Sequence, residues 1–300
     1  MENLRGAALM TFSMLAFAIE DVLIKTLGAR IPAGQIIGVV GLGAAVSFAI
    51  WFVATGQPIL VAAHRNRRVW LRTAMDMLGT IFFISALMRM DVTLLSAIIQ
   101  ATPLVVALGG VLFLGQSVGW RRWSAILIGL GGVLLIIRPG LDGVSTTMVI
   151  GILGMIALAG RDLATRALNV PISGAHLAFH ASAALVPTGL FLCWIEGERL
   201  VMPSGIDSLV LLLCVVVVLF AYLAIVAATR SGDAAFISMF RYSRMLFALA
   251  LGTIFLSERP DKMTLIGVSI VIGAGVFTFL REARQSSNST RPSHQTAKPL

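Results

Sequence analysis

Two arginines, Arg241 and Arg244, lie inside an apolar segment that is long enough to cross a membrane. If this helix enters the bilayer near Asp233, Arg244 lies about 16 Å along its axis, near the middle of a hydrocarbon core of about 30 Å. A charge at that depth is costly unless it faces a partner or a wet cavity. The three-residue spacing places both guanidinium groups on one helix face. The pair therefore indicates either donors that grip an anionic or carboxylate-bearing substrate, or an internal ion pair with Asp76 or Asp21.

Three further polar residues within apolar runs are candidates for contact with a substrate. Tyr242 lies between the arginines and could stack on a planar ligand or hydrogen-bond to it. Asp76 could accept a coupling proton, neutralise an arginine, or pair with Arg72 four residues earlier. Gln100 precedes Thr102-Pro103, where the proline predicts a kink that serves either as a hinge or as a static bend.

The first apolar run carries Glu20, Asp21 and Lys25. Asp21 and Lys25 are four residues apart, so they can form a pair on one helix face. The sixth run repeats this spacing at Asp162 and Arg166, which favours symmetric pairs that fix helix ends or latch gates. Glu20 has no acidic counterpart, because an arginine takes its place in the sixth run. This asymmetry makes Glu20 a candidate for substrate binding.

Two histidines, His176 and His180, are also four residues apart. The spacing suits a metal ion, but no further histidine or cysteine clearly joins them. The alternatives are a polar cavity wall, which makes His180 a candidate for substrate contact, a proton-responsive group, or a packed helix face. The chain has no phosphate-binding Walker loop, no Gly-x-Ser-x-Gly motif and no His-Glu-x-x-His motif. We therefore expect no cofactor, no metal and no ATP-driven transport by this chain alone.

The composition predicts a membrane protein. Hydrophobic residues make up 58% of the chain and charged residues 12%, with a mean hydropathy of +0.93. A soluble globular protein cannot bury so much apolar surface, so the lipid bilayer is the expected surrounding. The net charge of +9 lies in short connections and in the tail, which indicates membrane topology and not a nucleic-acid partner. Cys193 and Cys214 lie within apolar runs, so a disulfide framework is not expected.

The chain contains ten apolar runs that are long enough to span a bilayer, and we predict an all-α integral membrane protein with ten transmembrane helices. The runs cover residues 5–28, 33–55, 71–89, 92–114, 121–138, 147–168, 173–195, 207–229, 233–256 and 262–281.

Lysine and arginine concentrate in alternate connections, which predicts that both termini are cytoplasmic. The arginines on that side are Arg65, Arg67, Arg68, Arg72, Arg121, Arg122, Arg161, Arg166, Arg281 and Arg284.

The two halves of the chain repeat each other. An alignment that places Asp233 on Asp91 also places Ser238 on Ser96, and it continues without a gap to Gly273 on Gly131. We call this alignment the repeat register. Each half has five helices, so the second half must be inverted in the membrane, an arrangement typical of transporters with a site near the midplane. We predict a first repeat over residues 1–140, a second over 141–284, and a disordered cytoplasmic tail over 285–300.

The motifs of both halves resemble a known family. The first half contains Thr102-Pro103-Leu104, Phe113-Leu114-Gly115 and Ile136-Ile-Arg138-Pro139-Gly140, and the second contains Phe255-Leu-Ser-Glu258-Arg-Pro260 and Leu265-Ile-Gly267. Together they resemble the two repeats of EamA-type members of the drug/metabolite transporter superfamily. The segment Glu20-Asp21-x-x-x-Lys25 is similar to subgroups that take up S-adenosylmethionine or riboflavin. The chain departs from the family pattern at Gln116, where an acidic residue is usual, and in the second run, which has no arginine.

The resemblance and the residues together favour a secondary active transporter that works by alternating access in a bacterial cytoplasmic (inner) membrane. We expect a small organic metabolite as substrate: amino-acid-like, nucleoside- or vitamin-like, or another anionic or zwitterionic solute. Protons are the candidate coupling ion. The alternative is an intramembrane enzyme acting on a lipid or isoprenoid, for which Asp76 and His180 are the only hints. A receptor without transport activity is a third class, for which an inverted repeat has no evident purpose.

Overall fold

The computed structural model describes residues 2–115, 120–137, 145–229, 237 and 239–289, and these residues form helices and short connections without a strand. The α-helices are α1 (Glu2–Leu27), α2 (Ala33–Ala54), α3 (Arg67–Arg89), α4 (Val92–Ile99), α5 (Thr102–Leu114), α6 (Trp120–Ile137), α7 (Thr146–Arg166), α8 (Gly174–Glu196), α9 (Gly205–Thr229), α10 (Ser243–Phe255) and α11 (Lys262–Ser289). Two 3₁₀ helices cover Ala62–Arg65 and Met239–Tyr242.

The helices match the predicted membrane-spanning runs. In the described part of the chain, seven segments are long and apolar enough to cross a bilayer, one of them being the joint span of α4 and α5. Three other predicted runs correspond to α6, to α11, and to the 3₁₀ helix at Met239–Tyr242 followed by α10. The predicted fold class is confirmed, and the chain is a multi-pass membrane protein.

The fourth and ninth spans are both broken, and at equivalent positions. The fourth span is interrupted at Gln100 and Ala101, between α4 and α5. Pro103 lies in the first turn of α5, where its missing N–H removes no helical hydrogen bond, so the predicted kink is a break between two helices. In the ninth span the 3₁₀ turn ends at Tyr242, which is the equivalent of Gln100 in the repeat register. Both repeats therefore unwind at the same depth.

The packing of the helices follows the inverted repeat. α2 packs on α8 and α6 on α11, and each of these pairs joins equivalent helices of the two repeats. α3 packs on α7 and α1 on α9, and these two contacts exchange when the repeats are exchanged. α2 and α8 approach closely because Gly34 and Gly189 face each other, and a Cβ on either glycine would collide with the carbonyl oxygen of the other.

The helices alternate in direction, so the molecule has two ends. We call the end where α1 begins and α11 ends the termini end, and the opposite end the distal end. At the distal end, Arg30 bonds to Asp207 and Arg89 to Glu196, each at 2.8 Å. At the termini end, Nη1 of Arg68 donates to the carbonyl oxygen of Ala167 at 2.6 Å.

The last helix continues past the predicted beginning of the tail. α11 runs to Ser289, whereas the predicted tail covers 285–300. Residues 290–300 lie outside the described residues, and the boundaries between the two repeats and the tail stay predictions.

Candidate functional site

Arg244 forms an ion pair with the first helix. Its Nη2 lies 2.7 Å from Oδ2 of Asp21, whose side chain is 5% exposed. The guanidinium also lies over the rings of Phe17 and Phe83, at 5.5 and 5.8 Å from their centroids. Of the two roles that the sequence leaves open for Arg244, the geometry favours the internal ion pair.

The predicted pair between Asp21 and Lys25 is wrong. Asp21 bonds to Arg244, while Nζ of Lys25 points to the distal end and donates to the carbonyl oxygen of Met90 at 2.6 Å. The physical reason is that a pair within one helix contributes only tenths of a kcal/mol, less than a buried partner on a neighbouring helix can provide.

Asp76 is a counter-ion for two arginines. Its carboxylate lies 3.4 Å from Nη1 of Arg72 and 3.1 Å from Nη1 of Arg161. Arg161 also bonds to its neighbour Asp162 at 2.8 Å. These contacts combine two of the sequence alternatives for Asp76, and they join α3 of the first repeat to α7 of the second. Arg161, which the sequence assigns to the topology signal and to the counterpart of Glu20 in the repeat, therefore lies within this cluster of charges.

Arg241 differs from the other interior arginines. It lies in the 3₁₀ break, it is exposed, and the charges that act on it most include those of Asp162, Arg161 and Arg244. Within the described residues its guanidinium forms no ion pair. Its backbone carbonyl accepts a hydrogen bond from Nε2 of Gln100 at 3.3 Å, so the two breaks touch each other.

Glu20 resembles Arg241 in that it forms no ion pair within the described part of the chain. It is 9% exposed and lies in electrostatic range of Asp21 and Arg244, and its side chain has no ion pair among the described residues. Tyr222 of α9 lies in electrostatic range of Glu20, Asp76 and Arg161, with its ring edge-on to Phe17 at 5.7 Å between centroids. The sequence reading missed Tyr222, although a tyrosine is rare here, with two in the chain.

Tyr242 and His180 occupy other environments. Tyr242 is 4% exposed and directly precedes α10, so it belongs to the packed core of the break. His180 lies near the termini end, where its Nδ1 is 2.7 Å from Oγ1 of Thr73 and its ring stacks on His64 at 5.2 Å between centroids. His180 is therefore grouped with His64, which the sequence patterns did not single out, and not with Arg241 and Arg244.

The histidine spacing has a structural explanation. Nε2 of His176 bonds to the carbonyl oxygen of Pro58 and Nδ1 to Oγ of Ser173, which fastens the connection between α2 and α3 onto α8. Burial lowers the pKa of His64, which lies in that connection. Among the residues that the structure describes, no group of His, Cys, Asp and Glu could hold a metal ion.

The interior charges cancel in pairs except at two places. Asp21 neutralises Arg244, and Asp76 and Asp162 together neutralise Arg72 and Arg161. At this depth, the groups left without an ion pair among the described residues are the exposed guanidinium of Arg241 and the buried carboxyl of Glu20. This arrangement can receive a solute that carries a carboxylate together with a cationic or hydrogen-bond-donating group.

Comparison with known proteins also divides the chain into two repeats. A model of the EamA-like transporter family matches the chain twice, over residues 4–138 and 145–280. A solved crystal structure covers 95% of this chain and 98% of its own, with a TM-score of 0.59 and 19% sequence identity, a likeness that shows the fold alone.

Three relatives are similar over most of their length. A riboflavin transporter of Rhizobium johnstonii is 23% identical over 75% of both chains. A pseudopaline exporter of Pseudomonas aeruginosa is 24% identical over 90% of this chain and 94% of its own. An S-adenosylmethionine uptake transporter of Rickettsia prowazekii is 21% identical over 95% of this chain and 96% of its own.

Proposed function

Since this chain belongs to the EamA-like transporter family, we propose that it is a secondary carrier for a small zwitterionic or carboxylate-bearing metabolite. The observation that carries the proposal is the pair of unmatched charges, Arg241 and Glu20, within an interior whose other charges neutralise one another. A substrate with one acidic and one donating group would complete this pairing.

Each group has a distinct role in binding. The guanidinium of Arg241 offers parallel donors that match a carboxylate, and Asp21 holds the neighbouring Arg244 away from the substrate. The carboxyl of Glu20 receives an amine or another donor. Tyr222 and Phe17, whose rings meet edge-on, form an apolar wall for the body of the solute.

Alternating access follows from the position of the site between the two repeats. The breaks at Gln100 and Arg241 come from different repeats and are joined by one hydrogen bond. Unwound backbone at this depth is stable where it lines a cavity or is buried in protein. Movement of one repeat against the other would therefore open the site first to one end and then to the other.

Glu20 is the better candidate for proton coupling. Asp76 is held between two guanidinium groups, and a proton on it would break both contacts. Glu20 can exchange a proton without the loss of an ion pair of its own. We expect Glu20→Gln, whose amide oxygen still accepts a hydrogen bond from the substrate, to slow uptake and to make it independent of the pH gradient, while Asp76→Asn reduces the amount of folded carrier. Gradient-dependent uptake by the Glu20→Gln variant would contradict coupling at this residue.

The proposed location is a bacterial cytoplasmic membrane, with both termini in the cytoplasm. The arginine bias of the termini-end connections supports this orientation. The relatives include an uptake transporter and an exporter, so we propose no direction of transport.

The test is a thermal-shift screen of purified protein against carboxylic, zwitterionic and cationic metabolites, followed by uptake of the hits into proteoliposomes. A ligand that binds the native state raises its unfolding temperature. We expect a zwitterion or acid to stabilise the native protein and not Arg241→Gln. Arg199→Gln is the matched control, since Arg199 is exposed in the connection after α8.

Two results would overturn the proposal. The first is equal stabilisation of native protein and Arg241→Gln by every hit. The second is turnover of a lipid or isoprenoid by the purified protein, detected by mass spectrometry, without uptake of any hit. That second result would favour the intramembrane enzyme.

A further inference from the structure

We propose that the carboxylate of Glu258 is a latch that holds the distal end closed, and that it must leave its partners before that end can open. Glu258 is a positioning residue in this role and does not touch the substrate. The inference rests on the proposed alternating access.

The latch caps a helix of the other repeat. Oε1 of Glu258 accepts from the backbone N–H of Val92 at 2.6 Å, and Oε2 accepts from the N–H of Thr93 at 3.0 Å and from its Oγ1 at 2.7 Å. Asp91 holds the N-cap position of α4 but makes no capping hydrogen bond. The first turn of α4 therefore takes its cap from the second repeat, and the positive end of the helix favours the negative charge.

A third helix joins the same carboxylate. Nζ of Lys25, near the end of α1, lies 3.5 Å from Oε1 of Glu258 while it donates to Met90. The Glu258 side chain is 3% exposed. Its contacts thus join α1, the first turn of α4 and the connection after α10 at one buried point, and separation of these elements breaks all of them together.

The backbone around Glu258 is built to place this carboxylate. Ser257, directly before it, is the one non-glycine residue with positive φ in the described chain, at 56°. That conformation is rare for a residue with a Cβ and is retained where the surrounding contacts outweigh its cost. Gly252 leaves room for the carboxylate, because a Cβ there would collide with Oε2 of Glu258.

The equivalent position in the first repeat has a weaker group. In the repeat register, Gln116 corresponds to Glu258, and Ala234 and Ala235 correspond to Val92 and Thr93. The glutamine and the two alanines lie outside the described residues, so the comparison here is one of sequence. An amide has no charge and a single acceptor oxygen, and alanine has no hydroxyl to donate. The first repeat therefore has no charged counterpart of Glu258 in its sequence, and we expect the carrier to rest with the distal end closed.

The test measures opening without a substrate. In a background with Cys193→Ser and Cys214→Ser, Ser96→Cys places a thiol one turn below Thr93 on α4, at a position that is 5% exposed. Purified protein in nanodiscs is treated with a maleimide, which reaches both faces of the membrane. We expect Glu258→Gln to raise the labelling rate about ten-fold, since a charge-assisted cap is lost.

Two further variants make the result decisive. Asp261→Asn removes a carboxylate from the same connection, where it caps α11 through the N–H of Thr264, and it should leave labelling unchanged. Gln116→Glu places a carboxylate at the position equivalent to Glu258 in the first repeat, which should favour closure of the termini end, so it should raise labelling at Ser96→Cys while Glu258 stays intact. This second arm remains informative if Glu258→Gln fails to fold.

Equal labelling of Glu258→Gln and Asp261→Asn would overturn the latch, as would unchanged labelling of Gln116→Glu. Labelling does not require transport. A shift in labelling without uptake of any solute would therefore contradict the proposed function and leave the latch intact.

Discussion

The two repeats have the same backbone plan but different side chains at equivalent positions. Both unwind in the middle of a span, yet the break in the first repeat carries Gln100 and Thr102, whereas the second carries Tyr242 and Arg244 at the corresponding positions. Their interiors differ likewise, because the position of Glu20 in α1 is taken by an arginine, Arg161, at the equivalent position of α7. Duplication of the backbone allows the two halves to exchange roles, while the unequal charges decide what is bound and which end stays closed.

The largest expected effect on the free energy of unfolding is at the break of the second repeat. Arg244→Gln leaves Asp21 buried without its counter-ion and should lower the free energy of unfolding by about 3–5 kcal/mol. Thr102→Val, at the equivalent position, loses only the hydrogen bond to the carbonyl of Ile99 and should cost about 1 kcal/mol. Unfolding of both variants in detergent micelles measures the difference.

A double variant checks the cause. Asp21→Asn with Arg244→Gln should recover most of the lost stability, because no buried charge remains unpaired. Equal losses for Arg244→Gln and Thr102→Val would remove the distinction between the two breaks.

A second, smaller effect is expected beside the latch. Gly252→Ala forces a Cβ against the carboxylate of Glu258 and should destabilise the protein by about 1–3 kcal/mol. Combination with Glu258→Ala relieves the collision, so the two losses should be less than additive. Strict additivity in a double-mutant cycle would show that Gly252 has no part in placing the carboxylate.

The connections α2–α3 and α8–α9, which are equivalent in the two repeats, should respond to pH in opposite directions. Burial lowers the pKa of His64 below its ordinary value, so its contribution to stability is present above about pH 6.5 and is lost as the pH falls. Burial and the nearby Glu196 raise the pKa of Glu198, so its contribution is present below about pH 4.5 and is lost as the pH rises.

Hydrogen exchange of residues 55–66 and 197–204 across this pH range, corrected for intrinsic rates, measures both responses. Acid should increase exchange in the first segment and decrease it in the second. The variant His64→Gln should make the first segment less sensitive to pH, with any remaining response left to His176 and His180, which also contact this region. An unchanged response in that variant would exclude His64 as the titrating group.

The smallest effect tests the shared backbone. Gly131 of α6 and Gly273 of α11 are equivalent in the repeat register, and a Cβ on either would have no neighbour within 4 Å. Alanine at each position should raise stability equally, by at most about 1 kcal/mol, because it restricts the unfolded chain. Different unfolding temperatures for the two variants would contradict their equivalence.

Local patterns in the sequence predict most of the fold. The runs of apolar residues predict the spans, and the repeat register predicts the inverted repeat, because the cost of polar backbone in lipid leaves few alternatives. The site was less predictable. The depth of Arg241 and Arg244 could be read from the run, but Tyr222, Arg161 and His64 were missed, since each acts through residues far away in the chain.

The sequence by itself determined the membrane-spanning architecture, the membership of the family and the presence of buried charges, because these depend on composition and spacing along one segment. Only the tertiary structure decided which charges neutralise each other. Asp21 had two basic candidates, Lys25 in its own helix and Arg244 in a distant one, and the packing of α1 against α10 selected the second. Such a choice depends on distances between helices, and an ion pair in a low-dielectric interior is strong only over a few ångströms.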